Sequence, residues 1–222
     1  MPRESFRDSL EDLRDSVLGM GETVAARHRD AMTALDNQDP GLARYVAAND
    51  EEINAEYLEL EATCIDLFAL EQPVASDLRF VAASFKLLTD LERIADLATN
   101  LGRYVVETET DLVPRADLVD TGDVVGEMLD DALVAYARED PDLCVEVAER
   151  DDEVDARCEH ATDHLMRTLL AQTPTSPELE DLITDANRHL LTVRDLERVG
   201  DHAVNIAART YYMVEGDDDL LY

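Results

Sequence analysis

A stretch of thirteen residues occurs twice in this chain and constrains its fold more than any other feature. Residues 90–102 read DLERIADLATNLG and residues 195–207 read DLERVGDHAVNIA, so the two copies lie 105 residues apart. Seven of the thirteen positions are identical. A repeat of this kind, spaced at about half the length of a 222-residue chain, predicts two copies of one structural unit.

Each copy places a Glu, an Asp and an Asn at successive spacings of four residues. These residues are Glu92, Asp96 and Asn100 in the first copy, and Glu197, Asp201 and Asn205 in the second. Residues four apart lie on one face of an α-helix, so each copy predicts a stripe of three oxygen-bearing side chains. Such a stripe is typical of a solvated acidic face and also of a ligand set for a hard cation, and the spacing alone leaves both alternatives open.

Apolar residues recur at steps of three and four along six segments, which are separated by breaks rich in Pro, Gly or Asp. The predicted helices are 4–36, 40–70, 74–107, 117–139, 141–171 and 178–214. Asp39, Asp140 and Ser176 precede prolines and are candidate caps for the helices that follow. No alternating pattern typical of β-strands is present. The predicted fold class is therefore all-α, with six helices as two duplicated three-helix bundles related by internal pseudo-symmetry.

The duplication extends beyond the thirteen-residue stretch. Residues 50–54 (DEEIN) align with residues 151–155 (DDEVD), each within the middle helix of its repeat. The sequence predicts a first repeat over 1–110, a second over 117–215, and an acidic tail over 216–222 that is expected to be frayed.

The charge balance restricts the partners of this chain. It has 52 acidic and 19 basic residues, a net charge of −33, and Lys86 is its one lysine. Such a surface repels nucleic acid and anionic membranes, which argues against direct DNA binding. It is also typical of proteins from a salt-rich cytoplasm, so we predict a halophilic source. No signal-peptide pattern or membrane-spanning apolar run is found, and the three cysteines are expected to be free thiols in a reducing cytoplasm.

In so acidic a chain an isolated Glu–Asp pair at a spacing of four has no meaning, but two features distinguish the repeated pairs. They are duplicated, and Glu92 and Glu197 lie beside the apolar seams of their helices. A partly buried carboxylate needs a partner or a cation. The small residues Ala95 and Gly200 would let a neighbouring helix approach closely.

The middle helix of each repeat carries oxygen ligands at the same spacing, namely Asp50 with Asn54 and Asp151 with Asp155. Packed against the repeated stretches, they would complete a cluster of oxygens that suits Fe(III), Mn²⁺, Mg²⁺ or Ca²⁺ better than zinc or copper. The alternative is that arginines within the repeated stretches neutralise the acids as ion pairs. Because Asn54 replaces a carboxylate, the first cluster is predicted to bind cations more weakly.

The sequence contains no Gly-rich phosphate loop, no nucleophile motif, no CxxC pair and no Glu-x-x-His di-iron signature. We therefore predict that the protein is not an enzyme. His160, His164 and His202 are interpreted as surface or structural residues rather than ligands.

The doubled DLER(I/V)xD signature, the QPVASDLRFV stretch at 72–81 and the duplicated three-helix plan resemble the PhoU family across essentially the whole chain. The resemblance implies a cytoplasmic, dimeric regulator that negatively controls phosphate uptake and the phosphate-starvation response. It implies contact with the ATPase subunit of a phosphate ABC transporter and, in bacteria, with a sensor kinase.

The resemblance also implies metal ions, iron first with Mn, Mg or Ca as alternatives, at E-x-x-x-D motifs. The implied ligands are Asp50, Asn54, Glu92, Asp96, Asn100, Asp151, Asp155, Glu197, Asp201 and Asn205. The chain departs from the family in its extreme surface acidity and in the less complete ligand set of its first half. The alternative function is a metal-sequestering or storage bundle.

Overall fold

The computed structural model describes residues 2–71, 73, 75–172 and 176–221, which form helices joined by short turns and contain no β-strand. The eight helices of this described part are α1 (Pro2–Asn37), α2 (Pro40–Ala48), α3 (Glu51–Leu70), α4 (Ser76–Glu107), α5 (Arg115–Arg138), α6 (Pro141–Glu149), α7 (Asp151–Ala171) and α8 (Ser176–Glu215). None of them is long and apolar enough to cross a membrane.

Two of the six predicted helices are each interrupted once, which the sequence pattern did not predict. The first interruption separates α2 from α3 at residues 49–50, and the second separates α6 from α7 at Arg150. Counting each interrupted helix once gives the predicted six. Both interruptions place an acidic residue, Asp50 or Asp151, at the N-terminal end of a helix, where free N–H groups and the helix dipole favour negative charge.

Each interruption is held by the first helix of its own repeat. In the first repeat, the buried Arg27 of α1 donates a hydrogen bond from Nη1 to the backbone oxygen of Asn49. In the second repeat, Asp131 of α5 forms an ion pair with Arg150. The two contacts differ chemically but fix the same point of the duplicated fold.

The predicted caps at Asp39 and Asp140 are confirmed. The Asp39 carboxylate accepts hydrogen bonds from the N–H groups of Gly41 (2.8 Å) and Leu42 (3.1 Å). Asp140 accepts one from Leu143 N–H (3.2 Å). The predicted turn before α8 lies at residues 173–175, which are outside the described part of the chain. The side chain of the predicted cap, Ser176, is also outside it.

The acidic tail makes contacts through its described residues, 216–221. The N–H of Leu221 donates to the backbone oxygen of Asp218 (2.9 Å), which closes a turn. Leu220 packs against the hydrophobic core. The prediction that this terminal segment is frayed stays a prediction, and Leu220 gives the segment one apolar contact with the core.

The two helices that carry the repeated stretch, α4 and α8, pack against each other at the centre. The other helices of the first repeat pack on α4, and those of the second repeat pack on α8. Fully buried residues on the two central helices include Leu91, Ile94, Leu196, Val199 and Ile206. This arrangement confirms two duplicated three-helix bundles, and it brings both acidic stripes to the middle of the molecule.

Candidate functional site

The first acidic cluster consists of Asp50, Glu92 and Asp96, where the start of α3 meets α4. Burial is the main cause that raises the pKa of Glu92 and of Asp96 above the usual carboxyl range. The negative charge of Asp50 raises both further, so the three carboxylates lie within electrostatic reach of one another.

The second acidic cluster consists of Asp151 and Asp155 on α7 with Glu197 and Asp201 on α8. Burial again is the largest cause that raises the pKa of Asp151, Glu197 and Asp201, and the charge of Asp155 raises all three further. The structure thus brings together, in each half, the acids of the middle helix and those of the repeated stretch.

The close packing at the second cluster depends on a glycine. A Cβ atom added at Gly200 would lie 3.3 Å from Cγ1 of Val154 on α7 and 3.4 Å from Cγ1 of Val125 on α5. The side chain of Val154 would have to shift by a few tenths of an ångström to admit this atom, so the glycine favours close packing of α7 on α8.

The carboxylates are only partly removed from water. Glu92 and Glu197 are half-buried, whereas Asp96 and Asp201 are exposed. Oδ1 of Asp50 is buried and has no hydrogen-bond partner. A buried carboxylate oxygen without a donor is unfavourable unless a cation or a partner group satisfies it. The first cluster therefore contains an oxygen that is suited to a hard cation.

Neither cluster forms a closed coordination shell. Within the described residues, no group of three or more His, Cys, Asp or Glu stands where it could hold a metal ion. Within the same described residues, Arg93 and Arg198 form no ion pair with the clusters. Their positive charges still act at longer range. Arg93 lowers the pKa of Glu92 and of Asp96, and Arg198 lowers the pKa of Asp201. The donor atoms are all oxygens, as hard cations require, and the carboxylates would have to turn inwards to bind one.

The amides of the two stripes contact other residues. Oδ1 of Asn100 accepts a hydrogen bond from Arg103, one turn further along α4. Nδ2 of Asn205 lies 3.4 Å from Oδ1 of Asp90 and donates to it. Asn54 is half-buried in the first turn of α3. The Asn100 oxygen is thus engaged by Arg103, and the Asn205 amide nitrogen by Asp90.

The leading Asp of each repeated stretch links the two repeats, a role that the sequence analysis missed. Oδ1 of Asp90 lies 2.8 Å from Nδ1 of His202, across the contact between α4 and α8. Asp195 is fully buried and accepts a hydrogen bond from the Tyr104 hydroxyl (3.1 Å). The available signal was that this Asp is identical in both copies, as are the Glu and Asp that follow it.

His202 lies between the two clusters. Its positive charge, when protonated, lowers the pKa of Glu92 in the first cluster and of Asp201 in the second. Its hydrogen bond to Asp90 agrees with the interpretation of His202 as a boundary residue rather than a ligand. The clusters are therefore near enough to interact with the same side chain.

A second set of buried polar residues fastens the linker between the repeats. The carboxylate of Asp185 accepts hydrogen bonds from the N–H groups of Glu109 (3.3 Å) and Thr110 (3.0 Å). Nε2 of His189 accepts one from Leu112 N–H (3.3 Å), while Nδ1 donates to the backbone oxygen of Asp185 (2.8 Å). The polar atoms named here are paired within the protein, so this set is structural.

The three cysteines are free and buried, as expected. Burial raises the pKa of Cys64 to about 11, and those of Cys144 and Cys158 to about 12. Such thiols are protonated at neutral pH and are poor nucleophiles.

Comparison with known proteins identifies the duplicated unit. The PhoU domain family matches residues 17–105 and again residues 118–210, and these two ranges contain the two repeated stretches. The chain belongs to the PhoU family. Each acidic cluster therefore lies within one PhoU domain, and the Asp90–His202 contact joins one domain to the other.

PhoU proteins of known sequence and structure match nearly the whole chain. A phosphate-specific transport system accessory protein PhoU homolog from Pseudomonas putida is 37% identical over 218 residues, which cover 97% of this chain and 82% of the relative. The crystal structure of PhoU from Pseudomonas aeruginosa superposes with a TM-score of 0.87 at 35% identity, covering 96% of this chain and all of that one. The phosphate transport system regulatory protein PhoU from Streptococcus pneumoniae gives a TM-score of 0.87 at 27% identity, covering 96% and 98%.

Proposed function

We propose that this protein is a cytoplasmic regulator of phosphate uptake and of the phosphate-starvation response, and that it acts by negative control. The observation that supports this most is the similarity, over 97% of the chain, to a relative that is named as an accessory protein of the phosphate-specific transport system. The similar Streptococcus pneumoniae protein is named as a regulatory protein of the same kind of system.

The proposed mode of action is protein–protein contact. The regulator binds the ATPase subunit of a phosphate ABC transporter as a homodimer and holds import back when phosphate is plentiful. A sensor kinase is a further candidate partner. Regulation by contact needs a shaped surface and no reacting group, which agrees with the lack of a catalytic motif in the sequence.

Hard metal ions at the two acidic clusters are the second part of the proposal. The bound cation, iron first with Mn, Mg or Ca as alternatives, would neutralise carboxylates that now repel one another. In the first cluster Asp50, Glu92 and Asp96 would hold it, together with the amide of Asn54. In the second, Asp151, Asp155, Glu197 and Asp201 would do so. In each half the ion would link the repeated stretch to the middle helix.

Deletion of the gene tests the regulatory role. In phosphate-rich medium the deletion strain should take up phosphate faster than the parent, or should keep its starvation genes expressed. Complementation with the intact gene should restore the parental state. Phosphate uptake at the parental rate, together with normal shut-off of starvation genes, would show that the regulatory proposal is wrong.

Metal analysis of the purified protein, before and after chelation, tests the second part. A few ions per chain, lost on chelation, would support binding at the clusters. Loading far above that number would instead support a metal-sequestering or storage bundle, because two clusters can hold only a few ions. A protein that binds no hard cation after reconstitution would contradict both.

A further inference from the structure

The solvent face of α3 carries an apolar strip. The strip consists of Ala55, Leu58, Ala62, Ile65 and Ala69, all of which are exposed. Leu58 is 60% exposed and Ile65 is 51% exposed. Single exposed apolar residues are ordinary on a protein surface, whereas a continuous row of them along a helix marks an interaction site.

The spacing of the strip is that of a coiled-coil seam. Its members follow one another at steps of three, four, three and four residues, so alanines occupy one core position of a heptad and Leu58 and Ile65 occupy the other. The opposite side of α3 is already buried, since Ile53, Leu60 and Leu67 belong to the hydrophobic core. The helix therefore has one apolar face inside the fold and a second, regular one that faces solvent.

An acidic row borders the strip on one side. Glu52, Glu59 and Asp66 are exposed, are spaced seven residues apart and occupy the heptad position next to the seam. The sequence of α3 contains no Lys or Arg. In helix pairs, residues at such flanking positions select the partner by charge. This row favours a helix with Lys or Arg at its own flanking positions.

A second copy of the chain is disfavoured by the same charges. Two α3 helices packed along their strips would bring Glu and Asp against Glu and Asp, with no basic residue on either helix to compensate. The partner that fits the strip is therefore a different, basic helix.

The strip is not a consequence of the duplicated fold. The corresponding positions of α7, 101 residues further on, are Ala156, Glu159, Asp163, Met166 and Leu170. Glu159 and Asp163 replace Leu58 and Ala62, which removes the apolar row from the second repeat. Since the shared architecture tolerates charges at these positions, the fold does not require apolar residues there in the first repeat.

We propose that α3 docks an amphipathic helix of a partner protein. The apolar seam of that helix packs on the strip, and its basic flanking residues pair with Glu52, Glu59 and Asp66. The inference rests on α3 alone. It holds whether or not the protein controls phosphate uptake, and it does not involve the metal clusters.

The experiment uses the full-length protein and three labelled synthetic helical peptides of three heptads. One has an apolar seam flanked by Lys, one has the same seam flanked by Glu, and one has the Lys composition in scrambled order. Fluorescence anisotropy should show that the Lys-flanked peptide binds the parent at least about tenfold more tightly than the other two, because only it matches both the seam and the charge row.

Variants that copy α7 into α3 locate the binding. Leu58→Glu with Ala62→Asp should weaken the binding of the Lys-flanked peptide by at least about tenfold. The control, Met166→Asp with Leu170→Glu, adds the same charge to the matching face of α7, where Met166 and Leu170 are 40% and 87% exposed. This control variant should bind the Lys-flanked peptide as tightly as the parent does. A charge-reversed variant, Glu59→Lys with Asp66→Lys, should come to prefer the Glu-flanked peptide.

Several results would overturn the proposal. Equal binding of the Lys-flanked and scrambled peptides would show attraction to net charge alone. Equal loss of binding in the α3 and α7 variants would show that the loss is not specific to the strip. An unchanged preference in the charge-reversed variant would exclude pairing with the acidic row. If sedimentation shows that the parent self-associates and that Leu58→Glu with Ala62→Asp abolishes this, the occupant of the strip is a second copy.

Discussion

The two acidic clusters differ by one charge, and this difference predicts unequal cation affinity. Asn54 contributes a neutral amide to the first cluster, where Asp155 contributes a carboxylate to the second. A carboxylate about 4 Å from a divalent ion contributes about 2 kcal/mol even in a water-like dielectric, which corresponds to roughly 30-fold in affinity. The water-like value is appropriate because Asp155 is exposed.

Two double variants separate the clusters. Glu92→Gln with Asp96→Asn disables the first cluster and leaves the second, whereas Glu197→Gln with Asp201→Asn does the reverse. Titration of each metal-free variant with Mn²⁺ in a calorimeter should give a dissociation constant roughly 30-fold lower for the variant that keeps the second cluster. Raising the salt concentration should narrow the difference, since the clusters are partly exposed.

A matched control is available on α1. Glu11 and Asp15 have the same Glu-x-x-x-Asp spacing and are both exposed. Glu11→Gln with Asp15→Asn removes the same charge away from the clusters and should leave Mn²⁺ binding unchanged. Equal dissociation constants in the two cluster variants would refute the charge argument. If both cluster variants bind as many Mn²⁺ ions as the parent, with the same affinity, these residues are not the ligands.

Three further predictions concern stability. Dialysis to low ionic strength should reduce the helical circular-dichroism signal, because screening of the −33 net charge is lost; an unchanged spectrum would contradict the halophilic prediction. Burial raises the pKa of Glu92 and Glu197, so the metal-free native state binds more protons than the unfolded state, and stability declines as pH rises through the raised values. Lowering the pH from neutral towards the ordinary carboxyl range should therefore raise the Tm, and by less in a Glu92→Gln, Glu197→Gln variant; an identical slope would exclude these two groups. Asp195→Asn weakens the acceptor of the Tyr104 hydroxyl and also removes the ion pair with Arg194, so it should cost about 1–3 kcal/mol, or roughly 2–10 °C in Tm. Tyr104→Phe removes the hydroxyl alone and should lower the Tm by less; an unchanged Tm in both variants would show that the buried contact is dispensable.

The features that sequence predicted well are those that local chemistry determines. The caps at Asp39 and Asp140 need only an acidic side chain before Pro, and both form as expected. The half-buried state of Glu92 and Glu197 follows from their place beside an apolar seam, since helical periodicity fixes which face is buried.

The features that sequence did not predict depend on contacts with distant helices. Neither interruption contains a Pro or Gly, and both rely on a side chain or carbonyl partner far along the chain, as in Arg27 with Asn49. Asp90 and Asp195 were visible as identical positions. Asp90 pairs with His202, and Asp195 pairs with Tyr104 of the opposite repeat as well as with its neighbour Arg194. Periodicity within one helix says nothing about which residues of another helix face it.

The repeated Asp has different partners in the two halves, and this limits how far the internal symmetry extends. His202, which binds Asp90, aligns with Leu97, and Tyr104, which binds Asp195, aligns with Arg209. The Asp90–His202 contact therefore has no symmetry-related counterpart, because Leu97 has no polar side-chain atom. The electrostatic surroundings of the clusters differ accordingly, with His202 adjacent to Asp201 and also within reach of Glu92. A cation bound at one cluster would change the balance of charge around His202 and hence the field at the other. The duplicated fold thus holds two acidic clusters that are alike in composition, unequal in charge and both within electrostatic reach of His202.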